Sequence, residues 1–174
     1  MSSPFWNFSL AVYSASAVQD ECLHLQDQFG LDVNLILLCA FLGAVHGAAL
    51  TSDDIAAARQ EVGLWHQDIV RSLRAARRRL KTVELRDAQV AEAAAQLRTR
   101  VKAAELESEY VEHLMLERWA EAQLAARPRG DSRDAVPANL QALLAAYGIG
   151  PERLIATHAM KHLIAAALGR VVDK

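Results

Sequence analysis

Between Asp32 and His46 the chain reads DVNLILLCAFLGAVH, and from residue 35 to residue 45 no side chain is polar except that of Cys39. A helix apolar on every side has no face to offer water, so it must lie inside a larger body. The run is shorter than the roughly 20 apolar residues that cross a bilayer. It therefore predicts an all-α fold: a compact, irregular bundle of about seven to eight helices around a buried central helix at about residues 32–47. One helical domain over residues 1–174 is expected.

The remaining pattern supplies the surrounding helices. Ser3 before Pro4 is a helix start, with Phe5, Phe8 and Val12 on one face and Trp6, Leu10 and Tyr13 on another. This short aromatic helix is expected to pack on both sides. Ser16 and Gln19 suggest a capping box for a second helix, whose stripe is Val18, Cys22, Leu25 and Phe29 and whose stop is Gly30. Asp32 can cap the central helix, and Gly43 and Gly47 are expected to loosen its far end. Thr51 and Asp54 start a helix that Gly63 ends or kinks.

Residues 64–127 contain neither Gly nor Pro, and the length predicts two helices with a turn near residues 82–86; a continuous rod is the alternative. The first carries the stripe Trp65, Ile69, Leu73, Ala76 and Leu80. The second carries Val90, Ala94, Leu97, Val101, Ala104, Ser108, Val111, Met115 and Trp119. Residues 127–137, RPRGDSRDAVP, have the composition of a mobile loop. Two short helices follow, at about residues 138–147 and 151–168.

Composition changes this picture little. At 52% hydrophobic and 23% charged, the chain can build a core, and its formal charge of −2 exerts no general pull on nucleic acid or acidic membranes. Two cysteines, Cys22 and Cys39, both in apolar helical patterns, read as reduced core thiols. The segment FWNFSLAVYSASA superficially resembles a secretory signal, but the first basic residue is Arg59 and Asn7 and Ser9 interrupt the apolar stretch. A first helix of a cytoplasmic protein is the expectation.

Candidate chemistry begins with Arg71, Arg74, Arg77, Arg78, Arg79 and Lys81. Arg71, Arg74, Arg78 and Lys81 lie opposite the Trp65–Leu80 stripe, with Arg77 and Arg79 at its flanks. Such a face can bind phosphate or nucleic acid, or can be a solvated surface. No aromatic residues interleave with these arginines, as they would in a stacking platform. Arg71, Arg74 and Arg78 are expected to be exposed or paired only at the surface. Glu105, Glu109 and Glu112 share a flank of the next helix, with His113 nearby. Counting outward from a turn near Val83 places Arg74 and Arg71 opposite positions 92–96, so at least one of these glutamates is expected to face a groove without a full complement of cations.

Metal chemistry finds little support in the spacing. There is one Glu-x-x-His unit, Glu21 to His24, and helical di-metal sites use two. His158 and His162 are four residues apart, but Ala159 breaks the H-E-x-x-H pattern, and they read as half-buried histidines. His66 is expected to be partly exposed beside Trp65. A weak helix-turn-helix pattern runs through Leu143, Tyr147, Gly148, Ile149 and Leu154, offering Arg153, Thr157 and Lys161 to DNA, but a packed helical hairpin is favoured. No G-x-S-x-G, P-loop or G-x-G-x-x-G occurs.

Four segments carry a family resemblance. They are FWNFSL, CLHLQDQFGLDVNLILL, the W-x5-R-x2-R-x3-R of Trp65, Arg71, Arg74 and Arg78, and KAAELESEYVE from Lys102 to Glu112. Together they resemble a bacterial family of small helical proteins known as a domain of unknown function. The similarity reaches the loop at Arg127, and Phe41 stands where that family would carry Trp. The resemblance implies a small helical bacterial protein and brings no activity, cofactor or catalytic residue. The reading is a non-enzymatic protein–protein interaction or regulatory module, cytoplasmic, with another protein as partner and with no membrane, metal or cofactor. Its candidate binding residues are Arg71, Arg74, Arg78, Lys81, Glu105, Glu109 and Glu112. The alternative is a nucleic-acid- or anion-binding protein using residues 71–81.

Overall fold

In the computed structural model, which describes residues 1–124, 127–150 and 160–172, every regular element among the described residues is helical. The apolar run forms α3 (Val33–His46), and all its residues from Asn34 to Ala44 are buried. Leu38 and Phe41 are 1% and 5% exposed, as a helix without a polar face requires. The Asp32 carboxylate accepts from the Asn34 amide at 2.9 Å and so caps the first turn.

The other helices wrap this rod. In α1 (Pro4–Tyr13) the Ser3 hydroxyl accepts from the Trp6 amide, and Phe5 and Phe8 pack on Phe41 with ring centroids 5.2 and 5.3 Å apart. Its second face is only partly covered, since Leu10 is exposed. In α2 (Val18–Phe29) the expected stripe is inward, with Val18, Cys22 and Leu25 fully buried, and Gly30 ends the helix in the left-handed region. The proposed Ser16–Gln19 box is not used: Ala17 is the cap residue, at φ 65°, with no side-chain hydrogen bond. The Glu21 carboxylate instead reaches α8 (Lys161–Val172), accepting from the His162 and Leu163 amides at 3.1 and 2.9 Å. A negative charge there satisfies amides that the helix start leaves free.

Helix α7 (Ser132–Ala146) packs closely against α3. A Cβ on Gly43 would lie 2.8 Å from the Val136 Cα and N, so the glycine is what lets the two backbones meet. Gly47, at φ 61°, accepts a 2.7 Å hydrogen bond from the Gly130 amide. These glycines therefore tighten the end of α3 rather than loosen it. Between the same helices, Asn139 is fully buried; it accepts from the Leu50 amide and donates to the Cys39 and Ala48 carbonyls. The segment read as a loop over residues 127–137 is helical from Ser132 onward. Asp131 caps the Arg133 amide at 2.8 Å, and Pro137 is held inside the helix near its start.

Helix α4 (Ser52–Trp65) begins at the expected Thr51–Asp54 capping box. Gly63 does not end it. The chain continues without a break through a π-helical turn, His66–Val70, into α5 (Arg71–Thr82). After a short non-helical connection, α6 (Ala88–Leu124) returns, so two helices rather than one rod fill this region. No described helix is long and apolar enough to cross a membrane. His158, and the Arg153, Leu154 and Thr157 of the helix-turn-helix pattern, lie outside the described residues.

Two substitutions test this core in opposite directions. Leu38→Ala should cost about 2–5 kcal/mol in urea unfolding, through lost burial and the cavity left behind. Gly43→Ala should cost about 1–3 kcal/mol by overpacking against the Val136 backbone, although alanine favours helices.

Candidate functional site

The site originates in the π turn. Up to Val62 the inward positions follow α-helical spacing, with Ile55, Ala58 and Val62 buried. Continued unchanged, that spacing would bury Ile69 and Ala76. The wider turn takes up one additional residue and rotates everything after it. Val70 is fully buried instead, Ile69 and Ala76 are exposed, and Leu73, Arg74 and Arg77 turn partly inward. Arg74 therefore does not sit at the surface as its α-helical phase predicts.

The rotated arginines meet α6. Arg74 donates through Nε to Glu105 at 3.3 Å and through Nη2 to Glu109 at 2.8 Å, and Arg77 pairs with both oxygens of Glu105. The expected pairing of Arg74 with positions 92–96 is thus displaced by several turns. Residues 83–87 are not helical, and the register is held farther down, where Trp65 Nε1 donates to the Ser108 carbonyl at 2.9 Å. In consequence α6 turns a largely polar face inward: Glu105, Ser108, Glu112 and His113 are buried before Leu116 and Ala120 resume an apolar contact. The Val90 to Trp119 stripe coincides with that face only from Ser108 onward and in part, with Ser108 buried and Met115 and Trp119 packed on the core, while Val90, Leu97 and Val111 are exposed.

Glu112, with no exposed surface, stands apart from its two neighbours. It faces His66, the first residue of the π turn, and the N-terminus of α3. His66 Nδ1 lies 3.1 Å from Glu112 Oε2 and 3.2 Å from Asp32 Oδ2. Asn34 holds both acids at once. Its amide N–H donates to Asp32 Oδ1 at 2.9 Å, and its side-chain Nδ2 donates to Glu112 Oε1 at 2.8 Å. Among the described residues, neither carboxylate has an ion pair with lysine or arginine.

Burial and the negative charge of Glu112 push the Asp32 carboxyl up to about 7, against the pull of His66. Burial also opposes ionisation of Glu112, but the hydrogen bond and charge of His66 and the Asn34 amide outweigh it and hold Glu112 below the ordinary range. For His66, burial disfavours the cation; its hydrogen bond to Glu112 and the charges of both acids prevail and raise it. Two carboxylates and an imidazole so placed can share a proton or hold a cation.

The cluster opens on a cavity of about 420 Å³ lined by Asp32, Arg59, Gln60, His66, Arg71 and Tyr147, among others. Arg59 stacks over the Tyr147 ring at 4.3 Å. An adjoining smaller cavity of about 330 Å³ brings Arg71, Arg74 and Arg78 beside His66.

Of the sequence-derived candidates, then, Arg74, Glu105 and Glu109 come together as ion pairs. Arg71, Arg78 and Lys81 are exposed, with Arg71 bonded to Gln67 at 2.6 Å, and Glu112 joins a different group. Asp32 was legible only as a cap, and Asn34 and His66 carried no signal, since nothing in their spacing links them to Glu112. Two other histidines have local partners, although His113 Nε2 is buried without a hydrogen-bond partner. His113 stacks on Phe5 at 4.5 Å, and the exposed His162 pairs with Glu21 at 2.7 Å. Cys22 and Cys39 are free, buried thiols, each pushed up to about 12 by desolvation.

Residues 4–116 match the family described as a protein of unknown function (DUF2390), and the chain belongs to that family. No curated protein and no solved structure matches it. The matched stretch includes Asp32, Asn34, His66 and Glu112, and ends before α7.

The electrostatics of the cluster predict a pH profile. Asp32 and His66 are both raised, so each favours the fold below its unfolded pKa and loses that contribution as pH rises through the folded one. Glu112, lowered, contributes above its unfolded value and loses its contribution only in acid. In chelator-containing buffer, Asp32 and His66 should together lower the free energy of unfolding from pH 5 to pH 8, against the opposite contribution of His113, which burial holds below its usual value. Asp32→Asn should flatten this slope, because the amide oxygen can still cap Asn34 and cannot ionise. Urea melts at four pH values would check it; an equal slope in both proteins would contradict it.

Proposed function

We propose that the chain is a non-enzymatic protein-interaction module whose contact surface is the arm formed by α5 and the first half of α6. The observation that carries this reading is the absence of any buried residue in α5, or in α6 before Glu105, among the described residues. Residues 81–90 are exposed without interruption, and Val83, Leu85, Val90 and Leu97 are apolar side chains 37–51% exposed. Helices in globular proteins take most of their stability from packing an apolar face, and this pair packs mainly on itself. An uncovered apolar row beside exposed Arg71, Arg78, Arg79 and Lys81 suits a partner surface that is apolar with an acidic border. The base of the arm is anchored by Arg74, Arg77, Glu105 and Glu109, which position the arm rather than contact the partner. The two unlinked thiols accord with a cytoplasmic setting.

One observation favours a second reading. Arg71, Arg74 and Arg78 line a common cavity, which could receive an anionic group such as a phosphate.

A variant carrying Val83→Ser, Leu85→Ser, Val90→Ser, Arg71→Ser and Arg78→Ser separates these from a structural role. Its melting temperature should stay close to that of the parent, since exposed charges contribute about 0–1 kcal/mol. Proteins captured by the parent and identified by mass spectrometry should be lost with the variant. Tight binding of labelled DNA or RNA that weakens steeply between two salt concentrations would overturn the interaction reading in favour of the second.

A further inference from the structure

We propose that Asp32, His66 and Glu112 form a binding site for one divalent first-row transition ion, with an open coordination position facing the cavity beside Arg59 and Tyr147. This goes beyond the arm and does not depend on it.

The argument is geometric. Asp32 Oδ2, His66 Nδ1 and a Glu112 oxygen are mutually close, all within 4.8 Å of one another, and the two nitrogen–oxygen separations are 3.2 and 3.1 Å. Bonds of about 2.0–2.2 Å to a central ion give octahedral or tetrahedral edges of about 2.8–3.6 Å, so His66 Nδ1 already stands at ligand spacing from each carboxylate. Each carboxylate is oriented by the same residue. Asn34 engages Asp32 Oδ1 with its backbone and Glu112 Oε1 with its side chain, leaving Oδ2 and Oε2 directed at His66. Metal ligands are held in this way by hydrogen bonds from a surrounding shell. The three donors also come from stiff positions: the first turn of α3, a π turn and the middle of α6.

Charge argues the same way. Glu105 and Glu109 on the same helix are matched by Arg74 and Arg77, whereas the buried Asp32 and Glu112 share one imidazole. A dication with a neutral imidazole and two carboxylates makes the buried group neutral overall, which suits a site shielded from water. One nitrogen and two carboxylate oxygens suit manganese, iron or zinc better than magnesium or calcium, which prefer oxygen alone. Asp32 and His66 also line the cavity, which leaves room there for water or a small anion as a further ligand.

Protein stripped with chelator and then titrated with Mn²⁺, Zn²⁺ and Mg²⁺ tests the site. Calorimetry should show one Mn²⁺ or Zn²⁺ per chain and weak or no Mg²⁺ binding. Glu112→Gln and His66→Gln should each abolish that binding with helical content retained. Asn34→Ala should weaken it about 10–100-fold through misorientation of the ligands. A measurement on the unmodified chain guards against variants that fail to fold. Substoichiometric Mn²⁺ should broaden the NMR signals of the Asn34 side-chain amide and the Trp65 indole before that of the Trp119 indole. Absence of binding at about millimolar Mn²⁺ and Zn²⁺, binding unchanged in folded Glu112→Gln protein, or broadening centred elsewhere would each overturn the proposal. No metal binding by the unmodified chain, with capture through the arm intact, would refute this site alone.

Discussion

Enclosing α3 is the constraint on which the rest of the structure depends. Its eleven consecutive buried residues leave no side from which a neighbour could be absent. The aromatic face of α1, the stripe of α2 and the close approach of α7 at Gly43 each cover part of it. Backbone polar groups where the chain leaves α3 have to be satisfied inside this packing. Asn139 does so by bonding Cys39, Ala48 and Leu50 at once. Burial of an apolar rod thus brings a demand for a few well-placed polar side chains.

The same enclosure makes the start of α3 a special place. A helix N-terminus needs acceptors, and Asp32 supplies one while itself being buried. Once a carboxylate is held there, whatever packs over it must answer its charge. The π turn places His66 there, and α6 adds Glu112. A π turn costs regular hydrogen bonding, and such turns often mark functional positions. Here its effect is twofold: it presents the imidazole, and it rotates α5 so that Arg74 and Arg77 clasp Glu105 and Glu109.

Two features of different character therefore meet along one rod, residues 52–82. Toward the bundle it contributes to a buried acid–imidazole cluster beside a cavity. Away from the bundle it becomes one half of an exposed arm. The ion pairs of Arg74 and Arg77 lie between them.

The local rules along the chain were readable without a fold. The buried central helix, the Ser3, Asp32 and Thr51 caps and the stop at Gly30 all follow from residues within a few positions of one another, and the break between α5 and α6 follows from the length of the stretch alone. Phase across the π turn was not readable, because one added residue in a continuous helix leaves no mark in composition. It moved Ile69 outward and Arg74 inward, and every inference about which charges meet went with it. The register of α6 and the union of Asp32, Asn34, His66 and Glu112 were decided only in three dimensions. Residues 34, 66 and 112 share no periodicity, and what joins them is the packing of the π turn and α6 over the buried start of α3.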